Sequence, residues 1–326
     1  MASPAAPDIA LYRRFPALRQ VPRVRLCVLP SPVLRATNAH PRLWIKRDDL
    51  NADAFGGNKA RSLEFLLGEV RAGDTVLTIG GEGSTHVLST AAHARKLGAH
   101  TVAMRWKHDM NPGAVRVSEI IAGSATGTLS GNAVFSIARA LAHRFRHPVH
   151  YVPLGGSTPL GVLAQVNAAL ELAEQIAAGE LPAPERVVLP LGSGGTTAGL
   201  ALGFAIAGLE TEIVAARVAP RLAANARRVA GLVNGARALI HRFTGARVAR
   251  VPRGMVRVVH DVFGGAYGRV LPRAEDAAAF LFDTHGIRLD STYSAKAFVP
   301  ALAHARERDG PTLFWLTFDG RCLDAE

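Results

Sequence analysis

One order of segments recurs along this chain and limits the folds open to it: an apolar strand, a glycine loop, then a helix. Thr75 to Ile79 is a strand-like run, Gly80 to Gly83 a tight loop, and Ser84 opens a helical segment that Gly98 ends. Thr101 to Met104 is the next strand. The grammar returns with the strand Val187–Leu189, the glycine loop 192–195, a helix over Thr196–Ala207 and a strand at Ile213–Ala216. Upstream, Leu43 to Lys46 reads as a short strand before the charged turn Arg47-Asp48-Asp49. Strands joined through helices must run parallel, since a hairpin turn cannot connect parallel neighbours. The expectation is an α/β protein with parallel-type sheets flanked by helices on both faces.

Bulk properties narrow the function. A chain of 326 residues, 48% hydrophobic and 20% charged, has room for two domains or one large domain with an insertion. Cys27 and Cys322 form no ligand spacing, so a reduced, cytoplasmic setting is expected. Met1 to Ala10 lacks a basic region followed by a long apolar run, and no signal peptide is read there. The longest apolar stretch, Ala198 to Leu209, is interrupted by three glycines and is too short to cross a bilayer, so no membrane partner is expected. The net charge of +12 raises nucleic acid as a partner. Yet the arginines between Pro220 and Arg257 are scattered among alanine, valine and leucine, with few aromatics for base stacking. No nucleic-acid role is expected, and Arg221 to Arg257 is read as helical. His143 and His147 share a helical spacing with His150 nearby, but Pro148 breaks the helix and no carboxylate is close, so no metal is expected.

The chemistry concentrates at three places. Lys59, one of only five lysines among 38 basic residues, sits in Phe55-Gly56-Gly57-Asn58-Lys59-Ala60-Arg61. Asn58 is placed to cap a helix whose apolar positions are Leu63, Leu66, Leu67 and Val70. A lysine between a glycine pair and a helix can be desolvated against a ligand, as a Schiff-base lysine requires; the alternative is a solvated first-turn lysine. Gly192-Ser193-Gly194-Gly195-Thr196 combines glycines, hydroxyls and a helix start, which suit a phosphate; the alternative is a tight corner without a ligand. It is neither a Walker loop nor GxGxxG, because Thr197 holds the third glycine position. Ser84, in Gly80-Gly81-Glu82-Gly83-Ser84-Thr85-His86, either receives a carboxylate or is an ordinary N-cap, with His86 tuning it or merely polar. Tyr267 and Tyr293, two of only four tyrosines, lie in turn-like contexts where phenols can enter a site.

Taken together, these segments resemble the D-cysteine desulfhydrase and 1-aminocyclopropane-1-carboxylate deaminase family, fold type II pyridoxal-phosphate enzymes related to the tryptophan synthase β chain. The similar stretches are Trp44 to Leu50, Gly56 to Lys59, Gly83 to His86, Gly155 to Gly161, Gly192 to Thr196 and Tyr293 to Lys296, in that order. The resemblance implies pyridoxal 5'-phosphate as cofactor, held by Lys59 as a Schiff base, with Asn58, Thr85 and Ser294 also at the cofactor. Gly192, Ser193, Gly194, Gly195 and Thr196 would hold its phosphate. It implies Ser84, Thr85, His86 and Phe318 at the substrate, with Ser84, Tyr267 and Tyr293 joining Lys59 in catalysis. It implies a larger domain from residues 1–53 and 162–326, a smaller inserted domain from 54–161, and a homodimer.

Three departures stand out. Thr85 takes the place of an asparagine, Leu88 that of an arginine, and Thr317-Phe318-Asp319-Gly320 that of a His-Thr-Gly-Gly type of segment. Phe318 is expected to narrow the pocket near the pyridine ring, and Asp319 to require pairing or solvation. Ser294 replaces the acidic residue of the cyclopropane deaminases with a hydroxyl, which favours the desulfhydrase side. The implied activity is β-elimination from a small amino acid, giving a keto acid and ammonia. The alternatives are cyclopropane ring opening, a biosynthetic carbon–sulfur lyase or β-replacement synthase, and a non-catalytic cofactor-binding paralogue.

Overall fold

The structure is a computed structural model that describes residues 8–323. In chain order the strands are β1 (Val33–Arg35), β2 (Leu43–Arg47), β3 (Thr75–Gly81), β4 (His100–Trp106) and β5 (Thr126–Ser130). They continue with β6 (His150–Val152), β7 (Arg186–Leu191), β8 (Glu212–Arg217), β9 (Val256–Val259) and β10 (Thr312–Leu316). Two sheets result, a six-stranded one in the order β1-β2-β10-β7-β8-β9 and a four-stranded one in the order β5-β4-β3-β6. Every pairing is parallel except β1 with β2. Parallel strands buried on both faces need continuous apolar runs, which is why Thr312–Leu316 and Val187–Leu191 are buried throughout. Both glycine loops leave the carboxyl ends of strands, β3 in the smaller sheet and β7 in the larger, where α/β folds place ligands.

The helices follow from the sequence with three corrections. The helix after the Gly56-Gly57 pair runs Asn58–Leu66, and Gly57, not Asn58, is its N-cap residue. Asn58 therefore points elsewhere, and Val70 lies beyond the helix end. The span 221–257 is helical only over Ala226–Thr244 and finishes in β9, because Pro252 and Gly254 interrupt the chain before the apolar Val256–Val259 pairs with β8. Helices Pro159–Ala177 and Gly195–Ala207 approach closely: Cβ atoms on Gly199 and Gly203 would lie 2.2 Å from Gln165 Cβ and 2.3 Å from Ala169 Cβ. Two of the glycines that interrupt the apolar stretch, Gly199 and Gly203, are thus a packing surface, and the third, Gly208, is the left-handed C-cap. Among the described residues no helix is long and apolar enough to cross a membrane.

A buried charged cage fixes the helix that carries Lys59. Arg61, 1% exposed, bonds both carboxylate oxygens of Asp48 and of Glu171. Lys46, fully buried, donates to Glu171 Oε1, Ser31 O and Gln175 Oε1 at 2.7, 2.7 and 2.5 Å. Trp315 Nε1 on β10 donates to Asp48 Oδ2 at 2.8 Å. Asp48 and Trp315 belong to the larger-sheet elements, so the cage clamps the Asn58–Leu66 helix against them. Buried ions are costly unless fully paired, and here each carries several hydrogen bonds.

Candidate active site

Lys59 lies one residue into its helix, and its position is set by two backbone contacts. Gly57 has φ +130, and a Cβ there would stand 2.1 Å from Thr317 O, so glycine alone permits the close crossing. Asn58 N donates to Thr317 O at 3.0 Å, and Asp319 N to Gly56 O at 3.2 Å. From there Lys59 Nζ reaches Gly155 O at 3.0 Å. Burial lowers its ammonium pKa to about 8, with no carboxylate opposing the shift. The solvated first-turn lysine is therefore not what is found.

The same lysine is tied to the loop that follows β7. Asn58 Nδ2 donates to Thr196 Oγ1 at 2.8 Å, which is where the presumed cap side chain goes instead. Ser157 and Ser193 hydroxyls meet at 2.6 Å, and a Cβ on Gly155 would lie 2.2 Å from Ser193 Oγ. Lys59, the 155–157 turn and the 192–196 loop thus form one constellation. Gly194 is left-handed at φ +90, and the helix Gly195–Ala207 begins with no side-chain cap. Its first N–H groups remain donors for an anion. From behind, Arg228 Nε holds Ser193 O at 3.0 Å.

Around this centre the remaining expected residues fall as follows. Ser84 occupies the N-cap position of the Thr85–Lys96 helix, but its hydroxyl makes no capping bond, so the ordinary N-cap reading does not hold. Thr85 is buried beside the Tyr293 phenol. His86 is buried, faces Thr78 Oγ1 at 3.2 Å, and has its pKa lowered to about 3 by burial and by the Lys59 charge. It is a neutral packing group behind the loop. Tyr267 and Tyr293 share a hydroxyl–hydroxyl hydrogen bond, with ring centroids 6.0 Å apart. Burial pushes the Tyr267 phenol up to about 12 and raises the Tyr293 phenol well above its ordinary value, so both stay protonated. A Cβ on Gly192 would contact Tyr293 Cε1 at 3.8 Å, which places that ring on the 192–196 loop.

Ser294 is fully buried, and its Oγ lies toward Asp290 without forming a hydrogen bond to it. Asp290 in turn accepts from Tyr293 N at 2.7 Å and Ser294 N at 3.0 Å, and its own carboxyl pKa is raised by burial. Phe318 is 3% exposed and packs with Val87, Leu88, Val117 and Ile121. Its ring serves the apolar core under the Thr85–Lys96 helix, not the narrowing of a pocket that was expected of it. Leu88, the arginine replacement, belongs to that same cluster. Asp319 is paired by Arg321 through Nε at 2.7 Å and Nη2 at 2.9 Å.

Two residues of this region had no readable function in the sequence. Asn111 precedes Pro112 and caps Ala114 N. Its amide also donates to Gly268 O at 2.8 Å and Thr292 Oγ1 at 2.9 Å, latching the tyrosine-bearing loops together. His108 packs edge-on against Tyr267 at 5.0 Å, and no local pattern announces it. Of the histidines weighed for a metal, His143 and His147 are 4.4 Å apart by ring centroid, and His150 bonds Asp74 at 3.0 Å.

A desolvated lysine, a glycine-rich anion loop and a buried, unpartnered hydroxyl are the donor set a phosphorylated pyridine aldehyde requires: an amine for its carbonyl, N–H groups for its phosphate, a neutral partner for its ring. The chain belongs to the pyridoxal-phosphate dependent enzyme family, whose model matches residues 24–317. Its cofactor is pyridoxal 5'-phosphate, and its parallel sheets flanked by helices are those of the fold type II branch. It is 35% identical to the nocardicin C-9' epimerase of Nocardia uniformis subsp. tsuyamanensis, over 91% of this chain and 92% of that one. It is 31% identical to the D-cysteine desulfhydrase of Salmonella choleraesuis (strain SC-B67), over 91% and 94% of the two chains. Among solved structures, an ACC deaminase homologue superposes with a TM-score of 0.79 at 26% identity, covering 98% of this chain and 95% of that one.

Proposed function

We propose that the protein is a lyase that eliminates a β-substituent from a small amino acid, as a D-cysteine desulfhydrase does, releasing a keto acid and ammonia. The observation that carries this reading is the enclosed Lys59 amine at Gly155 O, linked to the anion loop through Asn58–Thr196 and Ser157–Ser193. Pyridoxal phosphate supplies an electron sink for charge developing at the substrate's Cα. Lys59 would hold the cofactor through its amine, and as a weak base at a pKa of about 8 it would take the proton from the substrate's Cα. Ser84, whose hydroxyl is free of capping duty, receives the substrate carboxylate with the N–H groups of its helix start. Protonated Tyr267 and Tyr293 flank the substrate and donate to the departing group. Water completes the balance: the substrate plus one water gives the keto acid, ammonia and the protonated leaving group. Ser294, a hydroxyl at the ring in place of a carboxylate, supports elimination over cyclopropane ring opening.

The same reading takes residues 54–161 as the smaller inserted domain and the active form as a cytoplasmic homodimer. Lys59→Ala tests the core of it. Turnover should fall by roughly 10²–10⁴-fold from the lost proton transfer alone, and the cofactor's lysine-bound absorbance should vanish. A fully active, cofactor-coloured Lys59→Ala protein would refute it.

Epimerisation is a second reading, favoured by the 35% identical epimerase. It shares Cα proton removal and differs in leaving the β-bond intact and returning a proton to the opposite face of Cα. Solvent deuterium at Cα of the inverted amino acid, with no keto acid formed, would select it.

A further inference from the structure

We infer that His108 is a further substrate-contacting residue of the Lys59 site, whose Nε2 accepts a hydrogen bond from an S–H, O–H or N–H group on the substrate's β-carbon. The inference rests on the reading of that site as one acting on amino acids. It names the substrate class more narrowly: amino acids whose side chain carries a hydrogen-bond donor.

His108 lies between β4 and the Pro112–Ala122 helix. Its Nδ1 is 2.8 Å from Asp109 O. A carbonyl oxygen only accepts, so Nδ1 carries a proton, and in the neutral ring Nε2 is the atom with the lone pair. That Nε2 is buried and has no hydrogen-bond partner among the described residues. A buried ring nitrogen without a partner is costly, and a donor on a bound substrate would satisfy it.

Its surroundings point to the substrate. A Cβ on Gly81 would lie 2.8 Å from both Nε2 and Cδ2 of His108, so the imidazole rests on the glycine loop that leads to Ser84. On its other side the ring meets Tyr267, whose hydroxyl bonds that of Tyr293. The acceptor is thus bracketed by the loop assigned to the substrate carboxylate and the phenols assigned to its side chain. Asn111, three residues on, bonds the backbone of the Tyr267 loop at Gly268 O and the side chain of Thr292 beside Tyr293, so the bracket is held in place. Tyr267 and Tyr293 keep their protons at these phenol pKa values, and their hydroxyls already bond each other. The imidazole is the acceptor that complements them.

The test uses cofactor-loaded protein with ¹⁵N-labelled histidine, the His108 resonances being assigned by their loss in His108→Phe. D-Serine and D-alanine, one with and one without a β-hydroxyl, are each added until the cofactor's absorbance change saturates. The Nε2 resonance should move with D-serine and stay with D-alanine. In turnover, His108→Phe keeps the ring on Tyr267 but loses the acceptor. It should lower kcat/KM for D-cysteine about tenfold, the worth of one hydrogen bond, and leave β-chloro-D-alanine unaffected. His108→Gln, which restores an acceptor oxygen, should recover part of the loss. An Nε2 resonance indifferent to D-serine overturns the inference, as does an equal loss on both substrates. Absence of turnover in the unaltered protein would strike the proposed reaction instead, and the resonance would still decide His108.

Discussion

At the scale of single residues, the depressed Lys59 pKa has a direct readout. An ordinary lysine is free amine only near pH 10.4, whereas Lys59 is half free at about 8. The rate at which cofactor-free protein takes up pyridoxal phosphate, followed by absorbance, should therefore rise with pH and reach half its plateau near 8. A midpoint near 10 would show an exposed amine. Ser294→Ala separates cofactor duty from folding. The hydroxyl makes no sound hydrogen bond within the protein, so its removal should cost the cofactor-free protein almost nothing in denaturant unfolding. It should shift the absorbance of the bound cofactor. A loss of several kcal/mol in the cofactor-free protein would mean that the hydroxyl supports the fold instead.

At the scale of elements, Gly57 joins the Lys59 helix to the end of β10. Gly57→Ala would set a Cβ against Thr317 O at 2.1 Å on a backbone of φ +130. Strain of that kind costs about 1–3 kcal/mol, and it should appear both as a lower unfolding midpoint and as weaker cofactor binding. If calorimetry gave unchanged stability and affinity, the crossing would not be what positions Lys59. The strand–glycine–helix order was legible because strand burial and loop conformation are local properties, as Thr75–Gly81 and Arg186–Leu191 show. Asn58 was misread because capping and a long-range bond to Thr196 use the same side chain, and only the fold decides between them. Phe318 was misread for a related reason: the sequence shows an aromatic beside the site but not which core its ring enters. His108 depends on Tyr267 and the Arg61 cage on bonds that span up to 267 residues, which no spacing reveals.

At the scale of the whole molecule, the cage governs acid stability. Glu171 has its carboxyl pKa lowered to about 2 because Arg61 and Lys46 outweigh the burial that would raise it. A depressed carboxyl stabilises the folded state fully above its unfolded pKa, and that stability is lost as pH falls through the folded value. The difference from the ordinary value of 4.5 corresponds to about 3 kcal/mol. Unfolding free energy should decline between roughly pH 4.5 and 2, and Glu171→Gln should flatten that decline while lowering stability at neutral pH. An unaltered acid limb in the variant would place the effect elsewhere. The position of β10 between β2 and β7 has a further consequence as the chain folds. Thr312–Leu316 lies far downstream of Lys59, yet it fills the middle of the larger sheet and leads into the backbone that seats Asn58 and Lys59. A chain cut short of this strand would carry the reactive lysine without its seat, so vitamin capture waits for the larger sheet to close.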